Sequence, residues 1–233
     1  MQHNIQQDTW KQMVGEEAAK LIEEGMVVGL GSGSTATFMI YALARRIQNG
    51  LSIVGAVPTS QATKQLASSL GIPLTNLDTY PELDLDIDGA DEIDEQLNLI
   101  KGGGGALLRE KIVASCSKRF IVIGDVTKQV TQLGNKFPLP IEVISFAATP
   151  VSRRLEELGA LVQVRQLGNQ VYLTDNGNMI LDCSFPNGIA DPEHAHTLIR
   201  SIVGVVETGL FINMADQAII GGPGGVTHRR RLR

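Results

Sequence analysis

The sequence predicts an α/β protein with a mainly parallel, Rossmann-like sheet flanked by helices, and with a second, smaller α+β domain. Two observations predict the main domain. Short apolar runs alternate four times with helix-like stretches, and a glycine-rich turn follows the first of these runs. A third observation predicts the smaller domain, because after Pro138 and Pro140 the chain changes to short strand-like runs separated by Gly and Asn turns.

The first predicted element is an amphipathic helix. Apolar residues recur at helical spacing over residues 10–22, Asp8 is a suitable N-cap and Gly25 a suitable stop. The apolar run 26–30 then predicts a buried strand, and the glycine turn after it leads into a second helix that ends near Gln48. Strand, glycine turn and helix in this order predict the opening of an α/β unit.

Strand and helix signals then alternate further along the chain. The predicted strands are residues 52–57, 83–88 and 119–124, and the predicted helices are residues 61–70 and 106–117. The strand 83–88 alternates strictly between apolar and acidic residues, which is the period of a strand with one buried face. It places Asp88 at its carboxyl end, where parallel sheets with right-handed crossovers bind their ligands.

The second half of the chain has an α+β pattern. Residues 150–158 predict a helix, and Asp191 followed by Pro and Glu predicts the capped start of another. The predicted strands are residues 162–165, 171–174 and 179–182. A last strand, residues 215–220, is expected to return to the main sheet. The expected domain bounds are 1–134 plus 206–233 for the α/β catalytic domain and 135–205 for the smaller α+β domain.

Composition and charge exclude several classes of protein. The 233 residues carry 25 Asp and Glu against 20 Lys and Arg, so nucleic-acid binding through phosphate neutralisation is not expected. The basic cluster 228–233 is interpreted as a solvated, frayed tail. No apolar run reaches the roughly 18 residues of a membrane span. Cys116 and Cys183 form no Cys-x-x-Cys pair, so we expect no zinc site and a cytoplasmic protein.

A glycine-rich stretch is the most informative motif. Residues 101–111 read KGGGGALLREK, with four consecutive glycines between Lys101 and a helix-like run that carries Glu110. Glycines let backbone N–H groups approach an anion closely, and the following helix start adds partial positive charge. This pattern favours Glu110 as a catalytic base acting on a small anion, rather than as an ordinary surface carboxylate.

Acidic residues cluster just before this motif. They are Asp88, Asp91, Glu92, Asp94 and Glu95. Such a run could form a solvated acidic loop. The position of Asp88 at the end of a buried strand favours a site instead, because repulsion between acids raises a pKa and a nearby cation lowers it, a combination that acid–base catalysis uses.

Three other patterns match less well. Residues 31–36 fit the dinucleotide fingerprint, but no acidic residue follows at the required distance of about 20 residues, so the hydroxyls of this turn suit a phosphate or a sugar instead. Residues 84–95 fit the calcium-loop pattern, but a predicted buried strand occupies their first half. His194 and His196 lie on nearly opposite faces of a predicted helix and are not expected to share a metal ion.

Taken together, three segments resemble ribose-5-phosphate isomerase of type A. They are GLGSGST at residues 29–35, DGADEI at residues 88–93 and the glycine motif at residues 101–111. Further matches lie at residues 124–128, 136–140, 174–178 and 205–211, so the resemblance spans nearly the whole chain. It implies an isomerase that interconverts D-ribose 5-phosphate and D-ribulose 5-phosphate in the non-oxidative branch of the pentose phosphate pathway. It also implies a homodimer or homotetramer that uses neither a cofactor nor a metal.

The resemblance implies a role for each candidate residue. Glu110 would move hydrogen between C1 and C2 of the open-chain sugar through an enediol. Asp88 and Asp91 would handle ring opening and hydroxyl protons, and Lys101 would stabilise the developing oxyanion. The implied substrate-binding residues are Ser32, Gly33, Ser34, Thr35, Asp88, Gly89, Ala90, Asp91, Lys101, Gly102, Gly103, Gly104, Lys128 and Lys11, of which the last two would contact phosphate.

Two residues depart from the family motif, which usually continues GGGAALTRE. Gly105 replaces an alanine, and Leu108 removes a hydroxyl near the base. Two alternatives remain: a non-catalytic sugar-phosphate sensor on the same scaffold, and a neighbouring enzyme such as an amino-sugar phosphate deaminase or a lactonase. The intact set of Asp88, Asp91, Lys101 and Glu110 argues against the sensor, because a sensor needs the glycine motif but not the base.

Overall fold

The structure, a computed structural model, describes residues 2–231. Residue 1 and residues 232–233, which the sequence assigned to the main domain and its basic tail, lie outside the described residues. The helices are α1 (Gln2–Ala19), α2 (Ser34–Gln48), α3 (Gln61–Ser69), α4 (Leu107–Ser115), α5 (Ala148–Glu157) and α6 (Pro192–Arg200). The strands are β1 (Val27–Leu30), β2 (Gly55–Pro58), β3 (Leu85–Gly89), β4 (Glu92–Ile93), β5 (Leu99–Ile100), β6 (Phe120–Asp125), β7 (Leu139–Val143), β8 (Leu161–Val164), β9 (Gln166–Leu167), β10 (Gln170–Val171), β11 (Met179–Ser184), β12 (Val205–Thr208), β13 (Leu210–Phe211), β14 (Gln217–Gly222) and β15 (Gly225–Arg230).

The chain divides into two compact units. In the described part of the chain, the larger unit comprises residues 2–90, 109–128 and 214–231, and the smaller unit comprises residues 91–108 and 129–213. The division therefore passes through α4, after Leu108. The sequence-derived domain bounds, with the smaller domain at 135–205, remain a proposal beside this division.

The larger unit contains the mainly parallel sheet that the sequence predicted. The strand order is β15-β14-β6-β3-β1-β2, and every neighbouring pair is parallel except β14 with β15. The predicted return of the last strand to this sheet is confirmed by β14, which pairs in parallel with β6. Apolar side chains bury the sheet against its helices, among them Val14, Leu30, Met39, Leu43, Ile87, Ile121 and Ile219.

Several predictions for the larger unit are wrong. Helix α1 already begins at Gln2, so Asp8 lies inside the helix and pairs with Lys11 instead of capping it. The basic cluster is not frayed over its described part, because β15 pairs with β14 as far as Arg230. Strand β3 does not have one exposed acidic face, since Asp86 and Asp88 are fully buried. The reason is that helices cover both faces of a mainly parallel sheet, so an internal strand such as β3 is buried on both sides.

The smaller unit has antiparallel sheets and a core of its own. Strands β12-β7-β11-β8 form one sheet, β13-β5-β4 a second, and β9 with β10 a hairpin. Its core includes Leu139, Ile141, Leu155, Leu181 and Ile199. The predicted capped start of α6 is confirmed, because the Asp191 side chain accepts a hydrogen bond from the His194 N–H.

Buried carboxylates fix two loops of this unit. Glu92 accepts hydrogen bonds from the backbone N–H groups of Gly134, Lys136 and Phe137 at 2.6–2.8 Å. Glu142 accepts from the Thr174 hydroxyl and from the Asn178 amide, each at 2.9 Å. These bonds hold residues 174–178 in a turn. Of the predicted strand 171–174, only Val171 lies in a strand of the structure, β10.

None of the helices within residues 2–231 is long and apolar enough to cross a membrane.

Candidate active site

The glycine turn after β1 holds the carboxylate of Asp88. Asp88 is fully buried at the end of β3, and its Oδ1 accepts hydrogen bonds from the N–H groups of Ser32 at 2.9 Å and Gly89 at 2.6 Å. A Cβ atom at Gly31 would overlap with the same oxygen, so only glycine allows this approach. Gly33 then begins α2 without a capping side chain, which leaves Ser34 and Thr35 in the first turn of that helix.

A cluster of hydroxyl groups orients Ser32. Its Oγ lies 2.9 Å from Thr59 Oγ1, 2.8 Å from Ser60 Oγ and 3.1 Å from Thr63 Oγ1. Sequence reasoning missed Thr59, Ser60 and Thr63. The signal that could have found them is the Thr-Ser pair two residues after the predicted strand 52–57, because neighbouring parallel strands end at the same edge of a sheet.

In the smaller unit, Asp91 binds the glycine loop. Its Oδ2 accepts a hydrogen bond of 2.7 Å from the Gly103 N–H, so this amide is engaged with a carboxylate of the protein itself. A Cβ atom at Gly103 would lie 2.7 Å from the other carboxylate oxygen, so the glycine permits the contact. The loop closes through a bond of 2.9 Å from the Gly105 N–H to the Gly102 carbonyl.

Lys101 is almost completely buried, with 2 % of its surface exposed. Its Nζ lies 5.5 Å from the centroid of the Phe211 ring, and its backbone N–H donates to the Gly209 carbonyl at 2.9 Å. A buried ammonium is weakly hydrated and therefore interacts strongly with a negative charge that develops nearby.

Glu110 lies in the first turn of α4, and 5 % of its surface is exposed. Glu110 therefore lies where the sequence predicted it, about one turn into the helix that follows the glycines. The partial positive charge of a helix N-terminus stabilises a carboxylate in this turn. A carboxylate removed from bulk water can act as a general base on a bound substrate.

The two candidate phosphate contacts lie in the larger unit. Lys128 ends a short 3-10 turn, Val126–Lys128, that follows β6. Asp125 stabilises this turn by accepting a hydrogen bond of 2.9 Å from the Thr127 N–H. Lys11 lies on α1, where its Nζ is 3.6 Å from the Asp8 carboxylate and its side chain is 16 % exposed.

The sequence matches a known family over most of its length. Residues 55–225 match the family model described as ribose 5-phosphate isomerase A (phosphoriboisomerase A). The chain belongs to the ribose-5-phosphate isomerase A family. Among curated relatives, it is 54 % identical to ribose-5-phosphate isomerase A of Bacillus mycoides, with 93 % of this chain and 97 % of the relative covered. It is 52 % identical to the Roseiflexus sp. protein of the same name, with 93 % and 94 % covered.

Solved structures agree with this assignment. The chain is similar to a D-ribose-5-phosphate isomerase in complex with phospho-erythronic acid, at a TM-score of 0.93 and 40 % identity, with 97 % of this chain and 99 % of that chain covered. It is also similar to ribose 5-phosphate isomerase from Plasmodium falciparum, at a TM-score of 0.94 and 37 % identity, with 97 % and 100 % covered. The family and the fold class predicted from the motifs are thus confirmed.

Each unit of this family member holds part of the predicted residue set. In the larger unit, three groups lie at the carboxyl ends of β1, β3 and β6, which are neighbours in the sheet. They are the turn with Ser32, the carboxylate of Asp88 and the turn with Lys128. In the smaller unit, Asp91 contacts the glycine loop directly after Lys101. Within residues 2–231, no group of three or more His, Cys, Asp or Glu side chains could hold a metal ion. The expectation of a metal-free reaction stays a prediction.

Proposed function

We infer that this protein is a ribose-5-phosphate isomerase, which interconverts D-ribose 5-phosphate and D-ribulose 5-phosphate through an enediol in the non-oxidative branch of the pentose phosphate pathway. The observation that carries this conclusion is the buried carboxylate of Glu110 in the first turn of the helix that follows the glycine loop. Membership of the ribose-5-phosphate isomerase A family supports the same activity.

Glu110 is the base of this reaction. It removes the proton from C2 of the open-chain aldose, the C1 carbonyl oxygen gains a proton, and the enediol forms. Return of the proton to C1 and loss of the O2 proton leave a carbonyl at C2, which is the ketose. General base catalysis of this kind contributes about 10²- to 10⁴-fold to a rate.

Three further residues handle charge and hydroxyl protons. Lys101, a buried ammonium, stabilises the oxyanion that develops as the carbonyl becomes an enediol. Asp88 and Asp91 accept and donate hydroxyl protons during ring opening and isomerisation. Each is held by backbone N–H groups, which keep the carboxylate in one orientation.

Backbone amides, hydroxyls and lysines bind the rest of the substrate. The turn 32–35 and the glycines 102–104 contact the sugar phosphate, and Lys128 and Lys11 contact the phosphate group. The start of α2 supports this assignment, because an uncapped helix N-terminus offers N–H groups and partial positive charge to an anion.

The substitution Glu110→Gln tests this function. We expect kcat with ribose 5-phosphate to fall about 10²- to 10⁴-fold, because the amide cannot accept the C2 proton, while the thermal midpoint and the Kd for ribose 5-phosphate stay close to those of the parent enzyme. Turnover is measured by the formation of ribulose 5-phosphate in the presence of EDTA, in which the parent enzyme should keep its full rate.

Glu156→Gln is the matched control, because Glu156 is an exposed carboxylate on α5. Its kcat should equal that of the parent enzyme. A parent protein that binds ribose 5-phosphate without converting it would support the sensor instead, and full turnover by Glu110→Gln would rule out the assignment of the base.

We also propose that the enzyme works in the cytoplasm as a homodimer or homotetramer. Cys116 and Cys183 are both free thiols, which suits a reducing compartment. Phe146 is 97 % exposed and Val203 is 95 % exposed, and their segments adjoin through a hydrogen bond of 3.0 Å from the Ile144 N–H to the Gly204 carbonyl. Exposed apolar side chains on adjoining segments favour an interface between subunits.

A further inference from the structure

An arginine of the smaller unit holds the glycine loop. Arg165 lies between β8 and β9, and its Nη1 donates hydrogen bonds to the carbonyl oxygens of Gly102 at 2.7 Å and Gly103 at 3.2 Å. The other side of the same guanidinium donates from Nε and Nη2 to the two carboxylate oxygens of Asp182 on β11, at 2.9 and 2.5 Å. The Arg165 side chain is 13 % exposed, so it is held on both sides and largely shielded from water.

One peptide group links Arg165 to Asp91. The carbonyl of Gly102 and the N–H of Gly103 belong to the same peptide bond, and in a trans peptide these two groups point in opposite directions. The carbonyl accepts from Arg165 at 2.7 Å, and the N–H donates to Asp91 Oδ2 at 2.7 Å. Rotation of this peptide would therefore break both hydrogen bonds.

The peptide needs such restraint because the loop is made of glycines. Gly102 has a φ of +106°, and Gly103 and Gly104 are exposed, so neither side-chain packing nor the backbone itself restricts this segment to one conformation. An arginine suits the task, because its planar group can bind a carboxylate on one side and carbonyl oxygens on the other. The bidentate contact with Asp182 also balances the positive charge of Arg165. Arg165 is therefore poorly suited to bind the substrate phosphate.

We propose that Arg165 is a positioning residue of the isomerase, which fixes the carboxylate of Asp91 through the Gly102–Gly103 peptide. This inference rests on the proposed function, because Asp91 is assigned there to hydroxyl proton transfer. In this role Arg165 acts through Asp91 and not by contact with the reacting atoms. Its effect on the rate is transmitted by the orientation of one amide group.

Steady-state kinetics of Arg165→Met, Asp91→Asn and the double variant test the proposal. We expect Arg165→Met to lower kcat about 10- to 100-fold, the range expected for a small misplacement of a catalytic group, with little change in KM. Asp91→Asn should lower kcat at least as far. The double variant should be no slower than Asp91→Asn alone, because both changes remove the function of the same carboxylate.

Further variants separate positioning from a merely structural role. Arg165→Lys keeps the positive charge beside Asp182 but cannot bind both partners, so it should also lower kcat. This variant replaces Arg165→Met in the test if Arg165→Met does not fold. Arg154→Met is the matched control, because Arg154 forms an exposed ion pair with Glu157 on α5. Its kcat and thermal midpoint should be those of the parent enzyme.

The outcomes distinguish this inference from the proposed function. If Asp91→Asn is impaired while the folded Arg165 variants keep the parent kcat, the positioning role is overturned and the proposed function stands. Losses that multiply in the double variant also overturn it, since Arg165 would then act independently of Asp91. If Asp91→Asn retains the parent kcat, the role assigned to Asp91 in the proposed function is wrong, and the positioning role is wrong with it.

Discussion

Gly105 departs from the usual family motif, and the structure supplies the reason. The residue is buried and has a φ of +82°, a conformation that glycine adopts without strain. A Cβ atom at this position would overlap with the hydroxyl oxygen of Tyr172 and would lie 2.6 Å from two of its ring carbons. The Tyr172 hydroxyl donates to the Gly104 carbonyl at 3.4 Å. Gly105 and Tyr172 are therefore a matched pair over the glycine loop.

The substitution Gly105→Ala should lower the free energy of unfolding by more than about 2 kcal/mol, since the left-handed backbone alone costs about 1–2 kcal/mol and the contact with Tyr172 adds to it. Gly159→Ala is the control, because Gly159 has a φ of +89° but no atom within 4 Å of its added Cβ. Urea unfolding of both variants, and of Gly105→Ala combined with Tyr172→Val, measures the two contributions. Equal losses for Gly105→Ala and Gly159→Ala would show that Tyr172 is not the cause.

At the scale of elements, a side chain fixes the start of the strand that leads to the glycine turn. The Val27 N–H, at the first residue of β1, donates to Asp84 Oδ2 at 2.9 Å, and Lys118 Nζ lies 3.0 Å from the other carboxylate oxygen. The hydrogen bond from Val27, followed by the interaction with Lys118, lowers the pKa of Asp84 below its ordinary value. The folded protein therefore binds this proton more weakly than the unfolded chain does.

Asp84→Asn should destabilise the protein at neutral pH but not in acid. A carboxylate whose pKa is lower in the folded state stabilises that state above its ordinary pKa, and this stabilisation is lost as the pH falls through the folded pKa. We expect the free energy of unfolding to fall by less than about 1 kcal/mol at pH 7, because the Asp84–Lys118 pair is partly solvent-exposed. Thermal midpoints measured from pH 7 down to pH 3 should converge with those of the parent protein. Asp78→Asn, which replaces an exposed aspartate in a turn, is the control and should keep the thermal midpoint of the parent protein at pH 7.

At the scale of the whole molecule, assembly is expected to involve the exposed apolar pair Phe146 and Val203. We expect Phe146→Ser combined with Val203→Ser to raise the subunit dissociation constant at least tenfold, because a few residues contribute most of the energy of an interface and exposed apolar side chains mark such sites. Sedimentation equilibrium measures the change. Val54→Ser removes an apolar side chain that is 45 % exposed in the larger unit, and it should leave assembly unchanged. A parent protein that is monomeric at micromolar concentration would contradict the proposed oligomer.

Much of the fold could be predicted because it depends on local patterns. Helix-like patterns predicted α2 and α3, and a short apolar run predicted β6, each to within a few residues, since each pattern spans a single element. Turn residues predicted where the chain leaves β1, because a glycine such as Gly33, with a φ of +94°, is required there by the local backbone. Prediction was wrong where other elements decide the outcome, as for β15, whose basic residues are held by pairing with β14.

The sequence by itself determined that Asp88 lies at the carboxyl end of a strand in a parallel sheet and that Glu110 lies in the first turn of the helix after a glycine loop. The order of the apolar runs and the conformational freedom of glycine are sufficient to predict both positions. Only the tertiary structure decided what holds these groups. Arg165 reaches Gly102 across 63 residues of chain, and Thr59 reaches Ser32 across 27. Such contacts depend on strand order and register, which arise from the packing of the whole core rather than from neighbouring residues.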